Sequence, residues 1–90
     1  MYRVRKRDGE LVDFNINKIS GAIKKAFEAT GTDYNDSVID FLSLKVTADF
    51  QDKIKDGAVT VEDVQDSVEA VLSRGGYEHV AKAYILYRRQ

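Results

Sequence analysis

The N-terminal region reads Tyr2-Arg-Val-Arg-Lys-Arg-Asp-Gly-Glu-Leu-Val-Asp-Phe14 and continues as Asn15-Ile-Asn-Lys-Ile19. Four of the five residues from Arg3 to Arg7 are cationic, although the whole chain has a formal net charge of −1. The positive charge is therefore local. Because helix N-termini attract anions and expose free N–H groups, a cationic cluster beside a helix start is a place to hold an anion, most often phosphate.

The basic segment also predicts a β-hairpin. Asp8-Gly9 separates two strand-like runs, and a two-residue Asp-Gly loop with positive φ at both positions is a strong hairpin signal. We predict strands at about residues 2–7 and 10–14, which form a hairpin over about residues 2–14. Alternation along the first strand would place the arginines at positions 3, 5 and 7 on one face.

Apolar residues recur at helical spacing through the remaining sequence. This periodicity predicts helices at about residues 16–30, 36–55, 61–74 and 78–89, with Ala58-Val59 as a candidate third strand. In the second helix the apolar stripe is widened by Val38, Phe41, Leu44 and Ala48. A stripe this wide suggests a central helix contacted from two sides. Asn15 is a good N-cap for the first helix.

Composition limits the function classes. Ninety residues make one small domain, and the absence of cysteine excludes disulfides, thiolate metal sites and cysteine nucleophiles, which fits a cytoplasmic protein. No apolar run is long enough for a membrane span, and mixed charges disfavour nucleic acid as a partner. No Walker loop, dinucleotide fingerprint or Ser/His/Asp pattern appears, so the chain is a better candidate for binding a phosphorylated ligand than for catalysis.

Three cations are the main candidates for that binding. Lys18 falls near the third position of the first helix, where it opposes the helix dipole. It is either a solvated lysine or, together with Lys6 and Arg7, part of a site for a polyphosphate. A bound polyphosphate would relieve the repulsion among these cations, with arginine giving bidentate contacts and lysine a point charge.

Two further groups of residues have competing interpretations. Glu10 and Asp13 are expected to pair with the arginines across the hairpin rather than to act as an acid–base pair. Tyr84 and Tyr87 lie three residues apart on one helix face. They are either core aromatics or an apolar wall for a nucleotide base, with Lys82 or Arg89 then near the phosphates.

Four motifs follow one another along nearly all 90 residues: Val4-x-Lys6-Arg7-Asp8-Gly9, Phe14-Asn-x-x-Lys18-Ile19, Ala22-Ile23-x-Lys25-Ala26 and Ala81-Lys-Ala-Tyr-Ile-Leu-Tyr-Arg88. With these motifs in this order, the chain closely resembles the ATP-cone, the small regulatory domain at the N-terminus of many ribonucleotide reductases. An anaerobic reductase is one candidate for the parent enzyme.

The resemblance implies an α+β, mainly α fold: a four-helix bundle capped by a small β-hairpin or three-stranded sheet. It implies one regulatory domain over residues 1–90, itself no enzyme, that binds ATP or dATP with Mg²⁺ accompanying the phosphates. The bound nucleotide would control the activity or oligomerisation of an attached reductase. The partners would be the reductase catalytic domain or another cone, with no membrane involved.

The resemblance also implies roles for single residues. Lys6, Arg7 and Lys18 align with positions that contact phosphates, and Val4 and Ile19 with positions flanking the base or sugar. Asn15 aligns with a position that contacts the adenine end in some members. Gln65 aligns with a variable polar position near the ligand.

Two valines, Val12 and Val61, depart from the family pattern, where many members carry a glutamate near the adenine or a threonine near phosphate. The alternatives are therefore a degenerate cone, or a basic module that binds protein or nucleic acid without nucleotide specificity.

Overall fold

Four helices and a three-stranded sheet make up the computed structural model, which describes residues 1–89. The fold is α+β and mainly α, as expected. The elements are β1 (Arg3–Arg5), β2 (Leu11–Asp13), α1 (Ile16–Ala29), α2 (Asp36–Asp49), a 3₁₀ turn (Gln51–Lys53), β3 (Ala58–Thr60), α3 (Val61–Arg74) and α4 (Glu78–Arg88). No helix within residues 1–89 is long and apolar enough to cross a membrane.

The sheet is mixed, and β1 is its central strand. β1 pairs with β2 in antiparallel fashion and with β3 in parallel fashion, so the strand order is β2-β1-β3. Val4 lies opposite both Val12 and Val59. Val59 is buried and the other two valines are half-buried, so this row of valines faces the helices. The candidate third strand is confirmed.

The hairpin loop differs from the predicted two-residue turn. The N–H of Gly9 donates to the carbonyl of Lys6 at 2.9 Å, and the N–H of Lys6 donates to the carbonyl of Glu10 at 2.8 Å. The loop therefore has three residues, 7 to 9, and only Gly9 has positive φ, 91°. In this loop only the glycine takes the left-handed conformation, and Asp8 keeps a negative φ. Arg7 consequently lies in the loop and not on the strand face that carries the other arginines.

The second Asp-Gly pair forms the tight turn instead. Asp56 and Gly57 both have positive φ, 53° and 75°. Lys55 and Ala58 exchange two backbone hydrogen bonds across them, at 2.8 and 3.0 Å. This turn directs the chain into β3 beside β1. It also explains why α2 ends at Asp49 and not near residue 55, since the residues between are needed for the 3₁₀ turn and the tight turn.

Side-chain caps begin three of the helices. Asn15, Asn35 and Thr60 accept hydrogen bonds from the N–H groups of Asn17, Val38 and Asp63. Glycines in the left-handed conformation follow the ends of α1 and α3, at Gly31 and Gly76. These local signals, readable from the sequence, fix the starts of α1, α2 and α3 and the ends of α1 and α3 to within a residue or two.

The core lies between the helices and the inner face of the sheet. Helix α2 packs against α1 and α3, and α4 packs against the same two helices. The core residues are Ile19, Ile23, Ala26, Phe27, Ile39, Leu42, Val46, Phe50, Val59, Val64, Val68, Val71, Leu72, Val80, Ala81 and Tyr84. The prediction that Phe41, Leu44 and Ala48 widen the buried stripe of α2 is wrong. Phe41 and Leu44 are 58% and 62% exposed, because α1 and α3 together cover only the opposite side of the helix.

Three aromatic rings join the hairpin to the end of α2. The ring centroids of Tyr2 and Phe14 are 4.9 Å apart, and each lies 5.8 Å from that of Phe50. Phe50 is fully buried. The edge-on and tilted packing of these rings stabilises both the entry and the exit of the hairpin. The hairpin is therefore held at its base, and its loop projects toward α3.

Candidate functional site

A cleft of about 310 Å³ lies between the hairpin loop and the start of α3. Lys6, Arg7 and Asp8 line it from the loop, and Val61 and Gln65 line it from the helix. The cleft thus combines two cations, an amide and an apolar side chain. It also lies at a helix N-terminus, where the helix dipole favours negative charge.

Short-range hydrogen bonds hold the loop in shape. The N–H of Glu10 donates to Oδ1 of Asp8 at 2.9 Å, and Nη1 of Arg5 donates to the carbonyl of Gly9 at 3.2 Å. Asp8 therefore closes the turn with its own carboxylate, as aspartate commonly does in turns. The backbone that carries Lys6 and Arg7 is fixed from both sides.

Arg7 is the most engaged side chain of the cleft. Its Nε donates to Oε2 of Glu62 at 2.5 Å, and its Nη2 donates to Oε1 of Gln65 at 3.1 Å. Nη2 also reaches the backbone carbonyl of Arg88 at 3.4 Å, at the end of α4. The guanidinium consequently joins the hairpin loop to two helices.

The carboxylate of Glu62 is charged at neutral pH. The hydrogen bond from Arg7 lowers the pKa of Glu62, and this outweighs the opposing effect of desolvation. Nevertheless the two side chains are 53% and 47% exposed, so water reaches the pair. Exposed ion pairs of this kind contribute little to stability.

Lys6 also has a carboxylate partner. Its Nζ lies 3.2 Å from Oε1 of Glu10, and both side chains are at least half exposed. Asp13 pairs with Arg3 across the two strands, with 3.8 Å between Oδ1 and Nε. The expected pairing with an arginine is therefore confirmed for Asp13, whereas it is wrong for Glu10, whose partner is Lys6.

Helix α1 presents a different N-terminus. Its first turn contains no acidic residue, and Lys18, its third residue, is exposed. Asn15 caps the helix by accepting the N–H of Asn17 at 2.9 Å. Ile19 is buried in the core. These three residues lie outside the set that lines the 310 Å³ cleft.

Tyr84 and Tyr87, both on the C-terminal helix, differ in burial. Tyr84 is 4% exposed, and burial raises its pKa to about 12, so its phenol stays protonated at neutral pH. Tyr87 is 42% exposed, with Nζ of Lys25 5.8 Å from its ring centroid. The two ring centroids are 6.1 Å apart. Tyr84 is thus a core aromatic, and Arg89 is an exposed residue just after the helix.

A second ion-pair network supports the end of α4. Nη1 of Arg88 donates to Oδ1 of Asp66 at 2.9 Å and to Oε1 of Glu69 at 2.6 Å, both on α3. Its side chain is only 14% exposed. These contacts hold the carbonyl of Arg88 near the guanidinium of Arg7.

The sequence did not point to Glu62 or to the carbonyl of Arg88. Glu62 lies in the first turn of α3, where an acidic residue favours a helix start, and nothing in the local pattern indicates a partner 55 positions away. A backbone carbonyl carries no sequence signal at all. Of the predicted residues, the structure brings Lys6, Arg7 and Gln65 together in one cleft, with Val4 half-buried in the strand that leads to it.

A larger groove lies on the outer side of the sheet. Its volume is about 500 Å³, and its cations are Arg3, Arg5, Lys53 and Lys55. The carboxylates of Asp52, Asp56 and Asp63 line the same groove. Within residues 1–89, no three histidine, aspartate or glutamate side chains are grouped closely enough to hold a metal ion.

Comparison with known proteins identifies the family. The sequence matches the family model for the ATP cone domain over residues 2–90. The chain is 38% identical over 88 residues to the vitamin B12-dependent ribonucleoside-diphosphate reductase of Mycobacterium tuberculosis, covering 98% of this chain and 12% of the relative. It is 41% identical over 90 residues to the ribonucleoside-diphosphate reductase subunit alpha of Chlamydia pneumoniae, covering 92% and 8%.

An anaerobic enzyme is also similar. The chain is 36% identical over 88 residues to the anaerobic ribonucleoside-triphosphate reductase of Salmonella typhimurium, covering 94% of this chain and 11% of the relative. The chain therefore spans about a tenth of the length of these curated relatives. With the helices, the sheet and the order of the sequence anchors in agreement, the chain belongs to the ATP-cone domain family.

Proposed function

We propose that this domain binds ATP or dATP and that the bound nucleotide regulates an attached ribonucleotide reductase. The observation that carries the proposal is the shared cleft of Lys6, Arg7 and Gln65 at the N-terminal end of α3, in a chain of the ATP-cone family. A volume of about 310 Å³ lies at the lower end of the range for small-molecule sites.

The phosphates are assigned to the cations. Arg7 offers a planar fork of donors for two phosphate oxygens, and Lys6 offers a mobile point charge. Lys18 is the third phosphate ligand in this proposal, because α1 begins without an acidic residue that would repel an anion.

The nucleoside is assigned to less polar surroundings. Val4 and Ile19 flank the base or sugar, Asn15 reaches the adenine end, and the amide of Gln65 contacts the ligand near the phosphates. Tyr84 and Arg89 complete the proposed site from α4, the tyrosine by supporting its floor from within the core.

Mg²⁺ would enter with the nucleotide. Mg²⁺ usually keeps several waters and binds phosphate oxygens, with only one or two protein carboxylates. Asp8 is the carboxylate that lines the cleft, and it fits such partial ligation better than a complete protein cage.

Regulation needs two states of the domain with different affinities. ATP and dATP differ by one hydroxyl, so a nucleotide can shift the domain only by the difference in its contacts with each state. The surface that reads the state would belong to the catalytic part of the reductase or to another cone.

Isothermal titration of the purified chain with ATP, dATP and GTP in magnesium buffer tests the binding proposal. We expect saturable binding of both adenine nucleotides and much weaker binding of GTP. Repeating the ATP titration at several salt concentrations separates a specific site from a basic surface. Binding that is indifferent to the base and lost steeply with salt would favour the interaction-module alternative, and no binding would indicate a degenerate cone.

A further inference from the structure

The guanidinium of Arg7 is already occupied by acceptors from α3. Oε2 of Glu62 takes the Nε–H at 2.5 Å, and Oε1 of Gln65 takes an Nη2–H at 3.1 Å. These are donors that a bidentate phosphate contact would use. We infer that Glu62 is a specificity-determining residue: its carboxylate competes with ligand phosphate for Arg7 and so lowers the affinity for ligands that use this arginine. The inference rests on the proposed nucleotide binding.

A carboxylate can occupy the place of a phosphate because both present oxygen acceptors of matching geometry to an arginine fork. The same Nε–H cannot make a full hydrogen bond to both. A phosphate that approaches Arg7 must therefore replace Oε2 of Glu62, and it also meets the negative charge of that carboxylate. Binding to Arg7 is an exchange of partners and not the filling of a free position.

The exposure of the pair makes this exchange reversible. Both side chains are about half exposed, at 53% and 47%, so water can solvate Glu62 once Arg7 has turned away. A fully buried pair would instead be a permanent structural element, because separating it would leave an unpaired charge in the core. Since exposed ion pairs are weak, the competition should reduce affinity by about two- to fivefold.

The competition should discriminate among ligands. It acts on a ligand whose phosphates reach Arg7, such as ATP, and does not act on adenosine, which has no phosphate. Glu62 therefore narrows the difference between the affinities for these two ligands. Removing its charge should widen that difference.

Glu62→Gln is the test variant, because glutamine keeps the size of the side chain and one acceptor oxygen. The matched control is Asp63→Asn, which removes a charge from the same helical turn. Asp63 lines the groove on the outer side of the sheet, and within residues 1–89 it makes no ion pair with Arg7.

The experiment is isothermal titration of the full chain and both variants with ATP, and with adenosine by competition against ATP. We expect Glu62→Gln to bind ATP about two- to fivefold more tightly, with adenosine affinity unchanged and Asp63→Asn equal to the original chain. Unchanged or weaker ATP binding by Glu62→Gln would overturn the inference. Equal tightening by Asp63→Asn would also overturn it, because it would indicate a general effect of charge.

Failure of the proposed function has a separate signature. If the unaltered chain binds no ATP, the site assignment and the inference both fall. If it binds ATP and Glu62→Gln brings no gain, the nucleotide site stands and only the role of Glu62 is rejected.

Discussion

The two cation-lined surfaces of the sheet differ in what surrounds the charges. The outer groove is larger, about 500 Å³, and has four cations, yet three aspartates line it with them. The cleft beside the hairpin loop is smaller, about 310 Å³, and combines Lys6 and Arg7 with Gln65 and Val61. The two surfaces therefore differ in the balance of charges and not only in the number of cations.

The two surfaces also differ in how their cations are held. Arg3 and Arg5 project from a regular strand, so their positions follow from simple alternation. Arg7 lies in a loop, and contacts from α3 and α4 set its position. The cleft, whose arginine is held by contacts from two helices, is therefore the stronger candidate for a ligand site, although a count of basic residues favours the outer groove.

The largest expected effect is the loss of ATP binding in Arg7→Ala. The variant removes a charge-assisted bidentate contact, which is worth about 1.5–3 kcal/mol, so ATP should bind about 10- to 100-fold more weakly. Isothermal titration measures the change. The matched control is Arg3→Ala on the outer face, which should stay within about twofold since exposed ion pairs contribute little. Equal losses in both variants would mean that the domain binds ATP by general charge attraction.

Lys18→Ala should have the next largest effect. Lys18 is exposed at the start of α1, and a point-charge contact with phosphate is expected to change affinity about five- to tenfold. Lys25→Ala is the control on the same helix, because Lys25 is also exposed and lies over the ring of Tyr87. ATP affinity that is the same in Lys18→Ala as in the original chain would restrict the phosphate site to the hairpin loop.

Most of the fold followed from local sequence signals. The periodic apolar residues and the cap at Asn15 predicted helix starts that the structure confirms. The outer face of α2 was misjudged, because Phe41 and Leu44 have the spacing of core residues and only the arrangement of α1 and α3 decides their exposure.

The hairpin turn shows why local signals have limits. Both Asp-Gly pairs carry the same two-residue signal, yet only Asp56-Gly57 has positive φ at both positions. At Asp8-Gly9 the strand register forces a three-residue loop, and registry is a property of the paired strands rather than of the dipeptide.

The residues that line the cleft could be predicted in part, but their contacts across the fold could not. The sequence indicated Lys6, Arg7 and Gln65 through the family resemblance, and charge clustering alone indicated the two cations. The partner of Arg7 could not be read from the sequence, because Glu62 is 55 positions away and meets it only through the packing of the hairpin on α3.

Two glycine substitutions test the conformation of the loop that carries Arg7, because they should change the stability of the fold in opposite directions. Gly9→Ala places a side chain at φ 91° and should destabilise the fold by about 1 kcal/mol, which lowers Tm by about 4–8 °C in a domain of this size. Gly21→Ala is the same substitution inside α1, with open space at the Cβ position, and should stabilise by about 0.5–1 kcal/mol. Thermal melting measures both shifts.

The sign of the two shifts is the informative result. A fall in Tm for Gly9→Ala with a rise for Gly21→Ala would support the three-residue loop with its left-handed glycine. An unchanged Tm for Gly9→Ala would contradict that loop geometry, and ATP titration of this variant would then show whether Arg7 keeps its place.

The smallest expected effect is the pH dependence of the ion pair between Arg7 and Glu62. The pKa of Glu62 is lowered in the folded state, first by its hydrogen bond from Arg7, so the pair stabilises the fold above the unfolded pKa of about 4.3. This contribution is lost as pH falls through the lower folded pKa. Because the pair is about half exposed, solvent screening limits the contribution to about 0.5 kcal/mol or less.

Urea unfolding of the original chain and of Glu62→Gln at pH 7, 5, 4 and 3 measures this contribution. We expect the variant to be slightly less stable at pH 7 and the difference to close toward pH 3, where Glu62 is increasingly protonated in the original chain too. A difference that is constant with pH would mean that helix propensity, and not charge, separates the two proteins. In that case Arg7 would be held mainly by its hydrogen bonds to Gln65 and to the carbonyl of Arg88. The position of this arginine would then depend on neutral acceptors and not on an ion pair.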